Sequence, residues 1–179
     1  SYALGQALVD AGRPSDAIPH LRRALTAGVR PDLAGFDLAR ALAATGDRDG
    51  ALHVLQDLKP ARTDDAASWS ALGQLARQLG VPQLAAGYYR EAARAAPQDS
   101  APREQLGLML AMLGELEAAV RELEAAVALS PSDATARLNL AAALAEVGRA
   151  PEARIQAEAA LRLDPGYVKA RELLRALSK

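Results

Sequence analysis

The two histidines, His20 and His53, are the side chains of this 179-residue chain best suited to metal binding or acid–base work. Two imidazoles alone make an incomplete site, because a metal centre or a general base needs further converging groups and no Asp or Glu is read at ligand spacing beside them. Both are read as histidines on an outer or inter-helix face. Acidic residues such as Glu115, Glu117, Glu122 and Glu124 are spread around a helix, as solvated side chains are. The glycines stop helices and do not form the phosphate-cradling loop that follows a strand. Cysteine is absent, which excludes disulfides, zinc knuckles and thiol catalysis. The chain is therefore read as a non-enzyme with no cofactor and no metal.

Composition says what the positioning elements must be. The chain holds 43 Ala and 29 Leu against two Ile and one Asn, and aromatic residues make up 3%. Ala and Leu are the strongest apolar helix formers, whereas the β-branched and aromatic residues that fill sheets are scarce. An all-α protein with closely approaching helices follows. Lys and Arg total 21 against 22 Asp and Glu, a formal net charge of −1. Nucleic-acid binders carry a basic excess or stripe, so no nucleic-acid partner is expected. No run approaches the roughly 18 consecutive apolar residues of a membrane span, so no membrane insertion is expected. No n-region and h-region open the sequence, which favours the cytoplasm. Three Lys against 18 Arg, with plentiful Ala, Gly and Pro, fits the bias of a GC-rich bacterial genome.

One period organises the whole chain. Gly12, Gly46, Gly80, Gly114 and Gly148 are each 34 residues apart, as are Leu4, Leu38, Leu72, Leu106, Leu140 and Leu174. Ala17, Ala51, Ala85, Ala119 and Ala153 form a third series, and Leu21, Leu55, Tyr89 and Leu123 a fourth in which Ala157 is the exception. Each repeat reads as two helices. A Gly just past the last apolar residue ends the first, because Gly takes the left-handed conformation without a Cβ penalty. Pro97, Pro131 and Pro165 stand just beyond the end of a second helix, and Pro82 and Pro151 at the start of one. The small Ala series lets the second helix press on the first, and the Leu series fills the space between them. Pro19 is expected to kink its helix or delay its start. Gly87, mid-helix, is read as a loss of regularity.

A 34-residue helix–turn–helix repeat of this pattern resembles the tetratricopeptide repeat (TPR) family. The third repeat carries nearly the whole signature in Trp69, Leu72-Gly73, Ala85, Tyr89, Ala92 and Pro97. The fourth matches with Leu106-Gly107, Ala119, Leu123, Ala126 and Pro131, and the fifth with Leu140-Ala141, Ala153, Ala160 and Pro165. The first fits at Leu4-Gly5, Ala17, Leu21 and Ala24. In the second, Leu58 replaces a small residue and Pro60 should end the second helix early. The frame sets repeats at 1–31, 32–65, 66–99, 100–133 and 134–167, followed by a capping helix at 168–179. On that last helix Ala170, Leu173, Leu174 and Leu177 share a stripe, while Arg171, Glu172, Arg175 and Lys179 face elsewhere. Ser1 falls at the fourth place of the frame, so the chain is expected to continue upstream. The resemblance implies a single α-solenoid domain, a right-handed superhelix of about five repeats plus the cap.

The resemblance also implies a concave groove lined by the first helices, where proteins of this family hold partners. Carried onto this sequence, the groove places fall in part on Val9 and Ala44, on Phe36, Asp37 and Arg40, on Gln74, Arg77 and Gln78, on Gln105, Leu108 and Met112, on Leu138 and Asn139, and on Lys169. The middle is rich in amides and arginine, suited to a peptide backbone or a carboxylate. The ends are apolar, and Met suits varied apolar side chains. Asn139, the only Asn, stands where peptide-binding grooves of the family often carry one. The subfamily that captures chaperone C-termini needs a wider set of basic and Asn residues. Here its places around Asn139 hold Glu104, Leu108, Lys169 and Leu173, so capture of such tails is not expected. The function implied is a scaffold that binds a peptide or helical segment of a protein partner. The alternatives are self-association into a homo-oligomer and a substrate-presenting appendage of a larger enzyme or assembly.

Overall fold

The computed structural model describes residues 2–178, so Ser1 and Lys179, with the readings placed on them, lie outside the described residues. Among the described residues there are eleven helices and no strand. In order they are α1 (Tyr2–Asp10), α2 (Pro14–Thr26), α3 (Pro31–Ala44), α4 (Arg48–Gln56), α5 (Ala66–Gln78), α6 (Pro82–Ala95), α7 (Ser100–Met112), α8 (Leu116–Leu129), α9 (Ala134–Glu146), α10 (Ala150–Leu163) and α11 (Val168–Ala176). No helix among them is long and apolar enough to cross a membrane. The chain falls into two compact bodies, residues 1–91 and 92–179.

Both bodies use the same joints. The five glycines of the 34-residue series all have positive φ, from 70° to 85°. At Gly114 the turn is fully bonded: Gly114 N–H reaches the Ala111 carbonyl at 3.0 Å and Glu115 N–H the Leu110 carbonyl at 2.9 Å. The last orphan carbonyls of α7 are thereby satisfied, and a Cβ there would be strained. The starts of first helices have a series of their own. Asp65, Asp99 and Asp133 are each 34 residues apart and cap α5, α7 and α9, accepting backbone N–H bonds of 2.8–3.1 Å. That series was legible in the spacing, and the reading above did not use it.

Packing follows the apolar series. Ala17, Ala51, Ala85, Ala119 and Ala153 are fully buried, and Leu38, Leu72, Leu106 and Leu140 nearly so. Leu4 departs from its series and is 47% exposed. Opposite the bulky series the first helices are bare: a Cβ at Gly5 would lie 2.7 Å from Leu21 Cγ, one at Gly73 2.9 Å from Tyr89 Cε1, and one at Gly107 2.7 Å from Leu123 Cγ. Gly87 is different, since an added methyl there meets nothing within 4 Å. On α11, Ala170 is buried and Leu173, Leu174 and Leu177 half-buried, with Arg171, Glu172 and Arg175 exposed.

In the N-terminal body the second repeat is the irregular one. Pro60 has no N–H for the Gln56 carbonyl and its ring would collide there, so α4 stops at Gln56 after nine residues. Tyr88 and Trp69 take over the task of the missing turn. The Tyr88 hydroxyl donates to the Leu55 carbonyl and lies 3.0 Å from that of Leu58. Burial pushes its phenol up to about 12, which keeps the proton on the donor. Trp69 Nε1–H donates to the Thr63 carbonyl at 3.0 Å, and the two rings sit 5.9 Å apart. Pro19 does not delay α2, which begins at Pro14 and runs through it.

Three glycine and leucine substitutions test this packing in thermal or urea unfolding. Gly87→Ala should stabilise by about 1 kcal/mol, since a helix interior favours Ala and space is open. Gly107→Ala should destabilise by about 1–3 kcal/mol through overpacking on Leu123. Leu72→Ala should cost about 2–5 kcal/mol. Equal midpoints for Gly87→Ala and Gly107→Ala would contradict the contact pattern.

Candidate functional site

In the N-terminal body the candidate residues lie on α3 and α5. Asp37 is 6% exposed, and its carboxylate accepts from the Tyr2 hydroxyl and from Arg40 Nη1, each at 3.2 Å. Burial pushes the Asp37 carboxyl up, while the Tyr2 phenol and the Arg40 guanidinium pull it down. Arg40 also lies over the Phe36 ring, 5.7 Å from its centre, and keeps 44% of its side chain exposed. Its guanidinium is thus held from two sides with its outer edge in solvent. On α5, Gln74, Arg77 and Gln78 are exposed, and Arg77 hydrogen-bonds the buried Tyr89 phenol.

Two clefts open on these helices. One, of about 570 Å³, brings together Val9 of α1, Arg40, Ala41 and Ala44 of α3, and Gln78 of α5, with Leu75 also on its wall. The other, of about 120 Å³ and almost wholly apolar, lies among Leu33, Phe36, Leu58, Ala71 and Leu72. Val9, Arg40, Ala44 and Gln78 come from three different helices and share one cleft.

In the C-terminal body Asn139 does not face solvent alone. Its Nδ2–H donates to Glu104 Oε1 at 2.7 Å, linking α9 to α7. Burial raises the Glu104 carboxyl; the Asn139 bond lowers it and Asp133 raises it further. Gln105 and Leu108 are half-buried, Met112 is 67% exposed, and Lys169 is exposed on α11. The Asn139 amide N–H is thus already occupied by a carboxylate of the same chain.

Two candidates are corrected by burial. Leu138 is 7% exposed and packs with Ala160 and Ala170, against Leu161, Tyr167 and Leu173, so it is a core side chain. Asp37 is buried as well and acts by holding Arg40. The histidines are apart from these clusters, His20 half-buried on α2 and His53 exposed on α4, where it edges a separate cleft. Each has an aspartate four residues before it, Asp16 and Asp49, which corrects the expectation that no acidic residue stands at ligand spacing beside them. Asp16 is taken up by Arg13 at 2.6 Å. No three His, Cys, Asp or Glu among the described residues are grouped to hold a metal ion.

The Tyr2–Asp37 and Glu104–Asn139 bonds each join residues 35 apart in sequence. Both couple the same two places of the frame on successive first helices, one repeat plus one residue. That offset is the signal by which either bond could have been found.

The tetratricopeptide repeat family pattern matches residues 8–75 and, in a second form, 53–165. No curated protein matches the sequence. Among solved structures, YrrB, a TPR protein with an unusual peptide-binding site, is 18% identical with a TM-score of 0.78 over 97% of this chain and 90% of its own. TTC0263, a thermophilic TPR protein of Thermus thermophilus, is 26% identical with a TM-score of 0.58 over 99% and 96%. The first TPR of Spaghetti (RPAP3), bound to the HSP90 peptide SRMEEVD, is 23% identical with a TM-score of 0.63 over 65% and 93%.

Glu104 supplies a test of this geometry. Its folded pKa is raised, so its contribution to stability is present below the ordinary glutamate range and is lost as pH rises through the raised value. Glu104→Gln removes the titration and keeps an acceptor for Asn139. From about pH 4 to pH 7, around the ordinary value of roughly 4.3, the variant should gain stability relative to wild type in urea unfolding. A constant difference across that range would refute the assignment of a raised, half-buried Glu104 carboxyl.

Proposed function

The chain belongs to the tetratricopeptide repeat family, and on that footing we propose that it is a non-catalytic scaffold that holds a segment of a protein partner on its first helices. The observation that carries the reading is the cleft shared by Val9, Arg40, Ala44 and Gln78. All four are among the groove positions that the family resemblance implies, and they line a cavity that combines apolar groups (Val9, Ala41, Ala44, Leu75) with the Arg40 guanidinium and the Gln78 amide. Ligand sites combine those features: apolar walls give area, and a few set polar groups give orientation. The 34-residue repeats set out above are taken as the modules that present this face.

Two neighbours of the same fold support the reading by what they do: YrrB has a peptide-binding site, and the Spaghetti domain is bound to an HSP90 peptide. The chemistry differs here. Glu104 beside Asn139 disfavours an acidic tail in the C-terminal body, whereas α3 and α5 offer the exposed guanidinium edges of Arg40 and Arg77.

Site-specific photo-crosslinking tests the proposal. A benzophenone side chain at Gln74 or Gln105, both on first helices, should capture a discrete partner from a lysate of the native host. The same group at Arg121, exposed on the second helix α8, should capture none. Arg77→Glu should weaken the Gln74 crosslink at least several-fold through charge reversal. Capture at Arg121 alone would overturn the assignment of the binding face.

A further inference from the structure

The 35-residue offset that joins Tyr2 to Asp37 and Glu104 to Asn139 recurs within the bodies at two more places. At Leu138 and Leu173 it is closed by apolar packing. At Phe36 and Ala71 it stays open: both line the cleft of about 120 Å³. The reason lies in the second repeat. Ala71 is too small to reach across, and α4 ends at Gln56, so Leu58 enters from an irregular segment where a helix turn would otherwise pack. Gly35 lets Leu58 come close, since a Cβ there would meet Leu58 Cδ1 at 2.7 Å. Although Asp32, Lys59 and Ser68 also border it, the exposed lining is almost wholly apolar, so the pocket itself selects for an apolar side chain.

One helical turn along α3 stands Arg40. Phe36 and Arg40 are four residues apart, a rise of about 6 Å, and the guanidinium sits 5.7 Å from the ring centre. Side chains two residues apart on one face of an extended chain are separated by about 6.6 Å. An apolar anchor in the Phe36 pocket therefore brings the second residue along to Arg40. There a carboxylate would find the outer guanidinium edge, with Gln78 on the same cleft. At about 570 Å³ this cleft is far larger than one carboxylate and continues to Val9 and Gly12, so a chain can run on past it.

We propose that the N-terminal body recognises an extended peptide in which an aliphatic residue is followed or preceded, two positions away, by an internal Asp or Glu, the first seated in the Phe36–Ala71 pocket and the second on Arg40. The proposal rests on the scaffold reading and names the ligand chemistry of its α3–α5 surface. These residues are separate from the Asn139 neighbourhood in which a terminal carboxylate would be sought.

The probe is a phage-displayed library of random nine-residue peptides panned against the whole chain. Enriched peptides should carry the aliphatic and acidic residues at that spacing. A synthetic copy should bind about 10-fold more weakly when its Glu becomes Gln, the order expected for a charge-assisted contact. In Arg40→Gln that difference should shrink below about twofold. Gln78→Glu, which leaves the Asp37–Arg40 pair in place, should weaken the Glu peptide more than the Gln peptide, and Ala71→Leu should erase the aliphatic preference. Amidating the peptide C-terminus should change nothing. No enrichment, enrichment without an acid, equal binding of Glu and Gln peptides, or loss on amidation would each overturn the proposal. Peptides of another pattern that shift the amide resonances of α3 and α5 would overturn this preference and leave the scaffold reading standing. Absence of crosslinking from both Gln74 and Gln105 would remove the scaffold reading itself.

Discussion

First helices lie close against the second helices that follow them where a bare backbone meets a bulky side chain, as in three of the repeats, and the rest of the architecture depends on that close approach. At Gly107 the nearest Leu123 carbon would be 2.7 Å from a Cβ and the Ala119 carbonyl oxygen 3.2 Å. Gly5 with Leu21 and Gly73 with Tyr89 repeat the arrangement. Where the bare place is Ala141, the frame puts the small Ala157 opposite it in sequence, and both are fully buried. Close packing of this kind gains dispersion contacts in place of voids. The Ala series, buried throughout, stands at the equivalent place in each repeat.

Tight pairing inside a repeat leaves function to the places where the pattern relaxes. The second repeat relaxes most, because Pro60 removes the end of α4. The backbone carbonyls freed there are met from a distance by Tyr88 and Trp69, so the irregular segment is held without a helix. A helix turn replaced by two pinned aromatic side chains leaves space on the α3 side. That space is the apolar pocket beside Phe36. An apparent defect in the repeat and an opening in the surface thus share one cause.

The fold was legible because it is written in short-range rules repeated at one spacing. Gly114 and its equivalents mark turns, Ala119 and its equivalents mark contacts, and Pro60 marks an early stop, each by a property of the residue itself. The site was less legible, since a face assignment says where a Cα stands and not what its side chain meets. Asn139 was placed on the inner surface by the family frame, yet nothing at that position alone reveals that Glu104 occupies its amide. Leu138 was assigned to the same surface and lies in the core because α11 covers it with Ala170 and Leu173. Asp37 was assigned to the groove lining, yet Tyr2 and Arg40 enclose it. Each of these depends on a partner about 35 residues away, or within a turn, that a single-helix reading does not consult.

A near-neutral chain can still present charge in a directed way. Asp37 carries a burial cost, seen in its raised carboxyl, and it is offset by the Tyr2 and Arg40 bonds. What that arrangement supplies is a guanidinium whose long side chain is already ordered. A free Arg gives up as much as about 2 kcal/mol of rotamer entropy when it is fixed. At Arg40 the Asp37 bond and the Phe36 ring bear much of that ordering in the folded protein, before any partner arrives. An exposed cation without such support, such as Lys169 on α11, keeps the full cost for the moment of binding. A carboxylate brought to Arg40 would thus meet a side chain that is already ordered, and preorganisation of that kind turns a surface charge pair of small worth into an oriented contact.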